Sequence, residues 1–382
     1  MAQAILSRET HTEQLTSEVV ATKPEHVKCL DGVRGLAILL VAAHHWVHYL
    51  QIVPHANYPA GMQVLMRIAN FGYCGVTLFF VLSGFLITRI LLSTKSKSNY
   101  LASFYARRAL RIFPLYYATL FILTIITWFA ARMGPVQDQI CLWLYSTNLS
   151  LFHHDKWIYG PLDHLWSLSI EEQFYFIFPV LVKILSLKNI RLLCFTLFFS
   201  AIATRFMLLT FGFHHCAVYC FPISHVDALA SGALLATFEY SHELKPPSSV
   251  QKFFVLAMFG SCAVTVLALN LPFDSQPIEL LGSTVYSVFF AGCILNLLTS
   301  PKRGTLKGIL SSKVMMKLGK YSYGIYIYHY IVFLVVSRAL KIQFTPMMAV
   351  LYVLVTAAIT FLLAYGSYEL FERKFLTLKK YC

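Results

Sequence analysis

Long apolar runs recur along the chain, each closed off by a short polar segment, and their length is the first signal. A helix needs about 20 mainly apolar residues to cross the hydrocarbon core of a bilayer. Ten segments come close to that length: 31–50, 72–92, 112–131, 164–185, 190–211, 223–239, 252–271, 279–298, 319–338 and 346–366. The pattern predicts an all-α, polytopic integral membrane protein of about ten transmembrane helices. Residues 1–28 mix acids, bases, Ser and Thr, with no apolar h-region and no small-residue cleavage signal, so they read as a cytoplasmic arm rather than a secretory signal. Residues 29–376 form one membrane-embedded domain, and 377–382 a cytoplasmic tail. No internal repeat interrupts this layout. The longest outer connection, 132–163, holds Pro135 and Pro161 and is expected to fold over the outer mouth as a lid or interfacial helix.

Composition agrees with the periodicity. Hydrophobic residues make up 58% of the chain and charged residues only 13%, against about 25% charged in soluble domains. The formal charge of +14 would in a soluble protein suggest nucleic acid. Here the bases lie between apolar runs and form no nucleic-acid module, so the partner they imply is the lipid bilayer. With the N-terminus inside, the cytoplasmic connections hold Lys95, Lys97, Arg107, Arg108, Lys188 and Lys245. They also hold Lys302, Arg303, Lys307, Lys313 and Lys317, and the tail adds four more bases. The outer connections hold only Arg67, Arg132, Lys156 and Lys341, and 212–222 and 272–278 hold none. This positive-inside asymmetry predicts N-in, C-in. The nine cysteines include no C-x-x-C pair, so nothing supports a metal site; Cys216 and Cys220 leave a local disulfide open.

Charge then reappears where it is costly. A charged side chain near the bilayer centre costs about 2.5–3.5 kcal/mol. Glu171, Glu172 and Asp227 lie inside predicted spans, and together they would cost roughly 8–10 kcal/mol if charged and facing lipid. They are expected to face the bundle interior, to be protonated or to be paired, and such carboxylates are functional candidates. In the first span, LDGVRGLAILLVAAHHWVHYL, Arg34 and His45 are eleven residues apart, which returns to the same helical face about 16 Å further along. His48 falls near that face, and His44 points elsewhere. An anionic head held at Arg34 with a long thin arm reaching His45 would fit this spacing, as the pantetheine arm of coenzyme A does. By depth, Glu171 is expected level with His45, and a carboxylate there would give a general base its tautomer. Arg108 and Arg111 share a helix face suited to phosphate. Ser83 lies near mid-membrane beside Gly84, with no G-x-S-x-G elbow around it, and packing is its first reading. His329 could line a ligand path or bond a neighbouring helix.

LDGVRGLAILLVAAHH, FFVLSGFLI, FYARRALRIFPLYY, HLWSLSIEEQFYFIFP, LGKYSYGIYIYH and SYELFER, in this order, resemble blocks of the acyltransferase 3 family of integral membrane acyltransferases. The resemblance covers about residues 29–376. It implies an O-acyltransferase that takes an acyl group, often acetyl, from cytosolic acyl-CoA as co-substrate, with no tightly bound cofactor. The acceptor would be a hydroxyl of a carbohydrate or other small molecule, and the setting a bacterial inner membrane. It implies catalysis at His45, for which the depth of the carboxylates adds Glu171 and Glu172 in support. Arg34, Arg108 and Arg111 would bind the donor, with Ser83 beside them, and His164, His225, Asp227 and His329 would bind the acceptor. The family often has Arg two residues before the Asp of its DAL block, where this chain has His225. A C-terminal SGNH hydrolase-like domain, frequent in the family, has no counterpart here, so the expectation is a stand-alone membrane enzyme. A proton-coupled secondary transporter is the alternative from another class; the internal repeats and broken helices common in transporters are not evident.

Overall fold

A computed structural model describes residues 27–52, 58–129, 136–268, 274–300, 304–340 and 345–382. Nearly all of the predicted N-terminal arm lies outside these residues, as does the start of the 132–163 connection. Among the described residues the fold is helical throughout, and each predicted apolar segment coincides with a helix. They are α1 (Lys28–Ile52), α3 (Cys74–Thr94), α4 (Tyr100–Phe129), α7 (Trp166–Ile184) and α8 (Leu187–Thr210). The second half adds α10 (Val226–Tyr240), α11 (Ser249–Ala268), α12 (Ser283–Thr299), α14 (Lys313–Leu340) and α15 (Pro346–Ser367). Between them lie the short helices α2 (Ala60–Asn70), α5 (Val136–Trp143), α6 (Thr147–His154), α9 (His215–Cys220), α13 (Thr305–Leu310) and α16 (Arg373–Thr377).

Six helical stretches among the described residues are long and apolar enough to cross a membrane: 28–48, 60–94, 100–129, 187–210, 278–299 and 346–381. The protein is therefore a multi-pass membrane protein. The expected spans at α7, α10, α11 and α14 are not among these six, and for two of them the cause is plain. Helix α10 has only 15 residues, and α7 carries Glu171, Glu172 and Lys183. Exposed apolar side chains such as Phe129, Phe176, Leu192, Phe199, Val264, Leu354 and Leu362 give the bundle the lipid-compatible exterior expected of such a protein.

Close helix crossings fix the interior. A Cβ on Gly84 would strike the Leu229 carbonyl, and one on Gly232 the Val81 carbonyl, so α3 and α10 meet backbone to backbone. Gly35 and Gly319 bring α1 and α14 together in the same way. Small residues at the crossing are what permit such approach within a membrane. The Ser83–Gly84 step thus has its packing role, through Gly84. Tyr100 and Tyr105 of α4 donate to the Pro179 and Phe176 carbonyls of α7 at 3.1 and 2.7 Å. Side chains from α1, α3, α4, α7 and α14 line one interior.

The described part of the connection between α4 and α7, from residue 136, packs against the segment that joins α8 to α10. Asp155, in the left-handed region with φ 48°, accepts from the His214 and Ala217 backbone N–H groups, each at 2.9 Å. That clasp ties the α6 end to the start of α9. Cys216 and Cys220 are both free, buried thiols on α9, which closes the disulfide left open by the sequence.

Candidate active site

Three chambers that share lining residues lie one beyond the other in the interior between α1, α3, α4, α7 and α14. The widest, about 800 Å³, opens at the end of the bundle where α1 begins, and its wall includes Arg34, Arg89, Lys97, Arg107, Arg108, Arg111 and Lys379. Arg34 donates to Asp31 at 2.9 Å, and Arg89 pairs with Glu239 at 2.8 Å. Among the described residues no ion pair engages Arg108 or Arg111; the Arg108 guanidinium instead lies over the Tyr175 ring, 4.6 Å from its centroid. Two neighbouring guanidiniums with no carboxylate at salt-bridge distance make an anion site of the kind Arg favours.

Deeper in, a chamber of about 110 Å³ keeps Arg34, Arg108 and Arg111 on one side and adds Phe79, Ser83, Glu171, Tyr175, Tyr323 and Tyr326. Ser83 and Tyr175 share a hydrogen bond between their hydroxyls. Glu171 is therefore grouped with the arginines, and the carboxylate expected beside His45 is not the partner of that ring. The reason is the register of α7: Ser167 reaches the level of His45, and Glu171 comes one turn further toward the arginines. Glu172 turns away from this chamber, toward the tyrosines of α4 and the α5–α6 connection. Its Oε1 is buried without a hydrogen-bond partner.

The third chamber, about 200 Å³, contains His45 and is walled by His44, His48, Asp163, His164, Ser167 and the aromatic residues Tyr73, Trp157, Trp166, Tyr219, Tyr326 and Tyr330. His45 Nδ1 and His329 Nε2 are 2.9 Å apart. The other nitrogen of His329, Nδ1, lies 2.8 Å from the Tyr326 carbonyl and 3.2 Å from that of Ile325. Carbonyls only accept, so His329 Nδ1 carries the proton and the neutral His329 Nε2 is an acceptor. His45 must then donate from Nδ1, which leaves a lone pair on its Nε2. A buried histidine with that tautomer is set up to accept a proton. His164 completes the group: its ring centroid is 5.1 Å from that of His329 and 6.3 Å from that of His45. Both of its ring nitrogens are buried without a well-formed hydrogen bond, the nearest acceptors being the Tyr326 and Pro161 carbonyls. His44, expected to point elsewhere, also borders this chamber, anchored through Nδ1 to Asn70.

His225 and Asp227 lie apart from this chamber. Asp227 is fully buried and pairs at 3.0 Å with Arg205 of α8. Its carboxylate also accepts from Thr284 at 2.8 Å and from the Ala228 N–H at 2.9 Å. The guanidinium absent two residues before Asp227 is thus supplied from another helix. His225 donates from Nε2 to the Tyr219 carbonyl at 2.7 Å, and its Nδ1 has no partner. A small pocket of about 30 Å³ lies between Arg205, His225 and Glu279, room for one or two waters.

Sequence reasoning did not single out Arg205, Asp163, Tyr326 or Trp157. Arg205, alone in FSAIATRFMLLT, carried a readable signal as a charge in an otherwise apolar helix. Asp163 sits in the connection before α7, where burial raises its carboxyl to about 6 against the backbone N–H groups of Tyr159, Gly160 and Ile158.

Comparison with known proteins fits this arrangement. The acyltransferase domain family matches residues 27–368. The peptidoglycan O-acetyltransferase OatA of Listeria monocytogenes is 30% identical over 367 residues, covering 91% of this chain and 55% of the relative. The O-acetyltransferase OatA of Staphylococcus aureus is 27% identical over 370 residues, covering 91% and 57%. The chain spans a little over half the length of these curated relatives. No solved structure gives a significant match. From its first described helix to the end of α15, the chain belongs to the acyltransferase 3 family of acyltransferase domains.

Proposed function

We propose that the protein is a membrane O-acyltransferase that moves an acyl group, acetyl in the first instance, from cytosolic acyl-CoA to a hydroxyl of a carbohydrate at the other face of a bacterial plasma membrane. The observation that carries this reading is the hydrogen-bonded His45–His329 pair, reached from one end through arginines and from the other through an aromatic-walled chamber. The arginine chamber faces the cytosol, as the positive-inside pattern requires, and Arg34, Arg108 and Arg111 engage the phosphates of the donor. The pantetheine arm runs past Ser83 and Tyr175 and brings the thioester to His45.

The acceptor sugar enters the histidine chamber, where Trp157, Trp166, Tyr219 and Tyr330 offer flat faces and Asp163 and His164 offer polar contacts. His45 Nε2 takes the proton of the hydroxyl as its oxygen forms a bond to the thioester carbonyl carbon. The C–S bond then breaks, and the proton returns from His45 to the leaving thiolate. His329 holds the tautomer that this needs and stabilises the imidazolium as it forms. General base catalysis of this kind contributes about 10²–10⁴-fold. Glu171, grouped with the arginines, offsets their charge when the donor leaves. Membership of an acyltransferase family leaves the transporter reading without support.

The test is transfer by purified protein in nanodiscs, supplied with labelled acetyl-CoA and peptidoglycan fragments or other saccharides. The expected product is an alkali-labile acetyl ester on the sugar. Binding of acetyl-CoA with no ester formed on any saccharide would contradict the acceptor class.

A further inference from the structure

The donor chamber and the histidine chamber are separate cavities, yet Val76, Ser167 and Tyr326 line both. These three side chains, from α3, the first turn of α7 and α14, form the wall between them. The wall is latched. The Tyr326 hydroxyl donates to the His164 carbonyl, which can only accept, so the 2.9 Å contact with Ser167 has the Ser167 hydroxyl as donor. A directed chain from Ser167 through Tyr326 to His164 therefore holds the Tyr326 ring across the passage. His329 sits one turn further along α14, its ring centroid 5.9 Å from that of Tyr326. Any acyl carbon that meets a hydroxyl activated by His45 must lie at this wall.

We infer that Val76, Ser167 and Tyr326 form a septum that sets the length of acyl group the enzyme can transfer. This rests on the proposed use of acyl-CoA from the arginine side. An acetyl group places only its methyl beyond the carbonyl carbon. A longer chain has to extend into the space that the Tyr326 ring and the Val76 methyls occupy, or displace the acceptor from the histidine chamber. Tyr326 and Val76 are thereby specificity-determining residues, and Ser167 is a positioning residue that keeps the ring in place.

The septum predicts a discrimination that side chains can tune. A single methylene in a close-fitting pocket changes kcat/KM about 10–200-fold. Wild-type protein should therefore prefer acetyl-CoA over butanoyl-CoA by at least about tenfold, measured as the ratio of kcat/KM with one saccharide acceptor. Val76→Ala and Tyr326→Ala should each reduce that ratio by about tenfold or more. Ser167→Ala, which loosens the latch and keeps the ring, should reduce it by less. Val76→Ala removes only two methyl groups and decides the matter if Tyr326→Ala fails to fold. Ratios within twofold of wild type in Val76→Ala, with acetyl transfer retained, would overturn the septum and leave the donor reading intact. A wild-type protein that transfers acyl groups from no CoA thioester would overturn the donor reading, and the septum with it.

Discussion

Two buried polar clusters lie in the same apolar bundle, and they are finished differently. Around Arg205, all three guanidinium nitrogens donate, to the Leu280 and Ser224 carbonyls, Asp227 and Thr284. Every oxygen of the Asp227 carboxylate is likewise engaged. Around His45, neither ring nitrogen of His164 makes a well-formed hydrogen bond, His45 Nε2 keeps a lone pair, and among the described residues no carboxylate forms a salt bridge with Arg108 or Arg111. A fully satisfied network rigidifies the fold, and removing one member leaves the others stranded in low dielectric. A network with unused capacity beside a chamber has something left to bind. Charge inside a membrane domain marks either condition, and hydrogen-bond satisfaction tells them apart.

The contrast can be broken by crossing two readouts, activity and stability. His45→Ala should lower acyl transfer by about 10²–10⁴-fold and leave thermal stability and membrane insertion unchanged. Arg205→Ala should do the opposite in kind: it strands the Asp227 charge and costs about 3–5 kcal/mol of stability. Loss of monodisperse, heat-stable protein in detergent is the sign to look for, and replacing the pair together, as Arg205→Met with Asp227→Leu, should recover most of it. A stable but inactive Arg205→Ala protein would place Arg205 in the chemistry and erase the distinction.

Smaller effects sharpen it. Arg108→Ala and Arg111→Ala each remove a charge-assisted contact worth about 1.5–3 kcal/mol, so the KM for acyl-CoA should rise about 10–100-fold with that for the acceptor little changed. A rise confined to the acceptor KM would remove them from the donor site. An effect of similar size, but one that appears only on changing pH, belongs to Asp163, whose carboxyl burial raises to about 6. A carboxyl raised in the folded state makes stability fall as pH rises from about 4, its unfolded value, to about 6. Wild type should lose up to roughly 3 kcal/mol across that window relative to Asp163→Asn, read as a pH-dependent difference in melting temperature. A difference that does not vary with pH would contradict the burial of this carboxyl.

The helices were legible because a span announces itself by length and hydropathy: each predicted segment matches a helix to within a few residues, apart from α4, which begins twelve residues earlier, at Tyr100. The first span also disclosed Arg34 and His45 as one face, since helical periodicity relates residues on the same element. Partners across helices were not legible. His45 meets His329, 284 positions away, where the glycine crossing fixes α1 against α14, and Glu171 meets the arginines because α7 packs in a register that its own sequence does not state. Depth counted along each helix could not supply that register. Asp227 is buried and paired, as expected of a carboxylate within a span, but its partner on α8 was not legible, because a single Arg among apolar residues does not say which carboxylate it will meet.

The account stands most directly on one experiment with sealed proteoliposomes of known orientation. Labelled acetyl-CoA is supplied only on the face that bears Lys95 and Lys307, with saccharide acceptor on both faces. Labelled ester appearing on the opposite face, and none made by His45→Ala, is the predicted result. Ester formed on the same face as the donor would contradict passage of the acyl group between the arginine and histidine chambers.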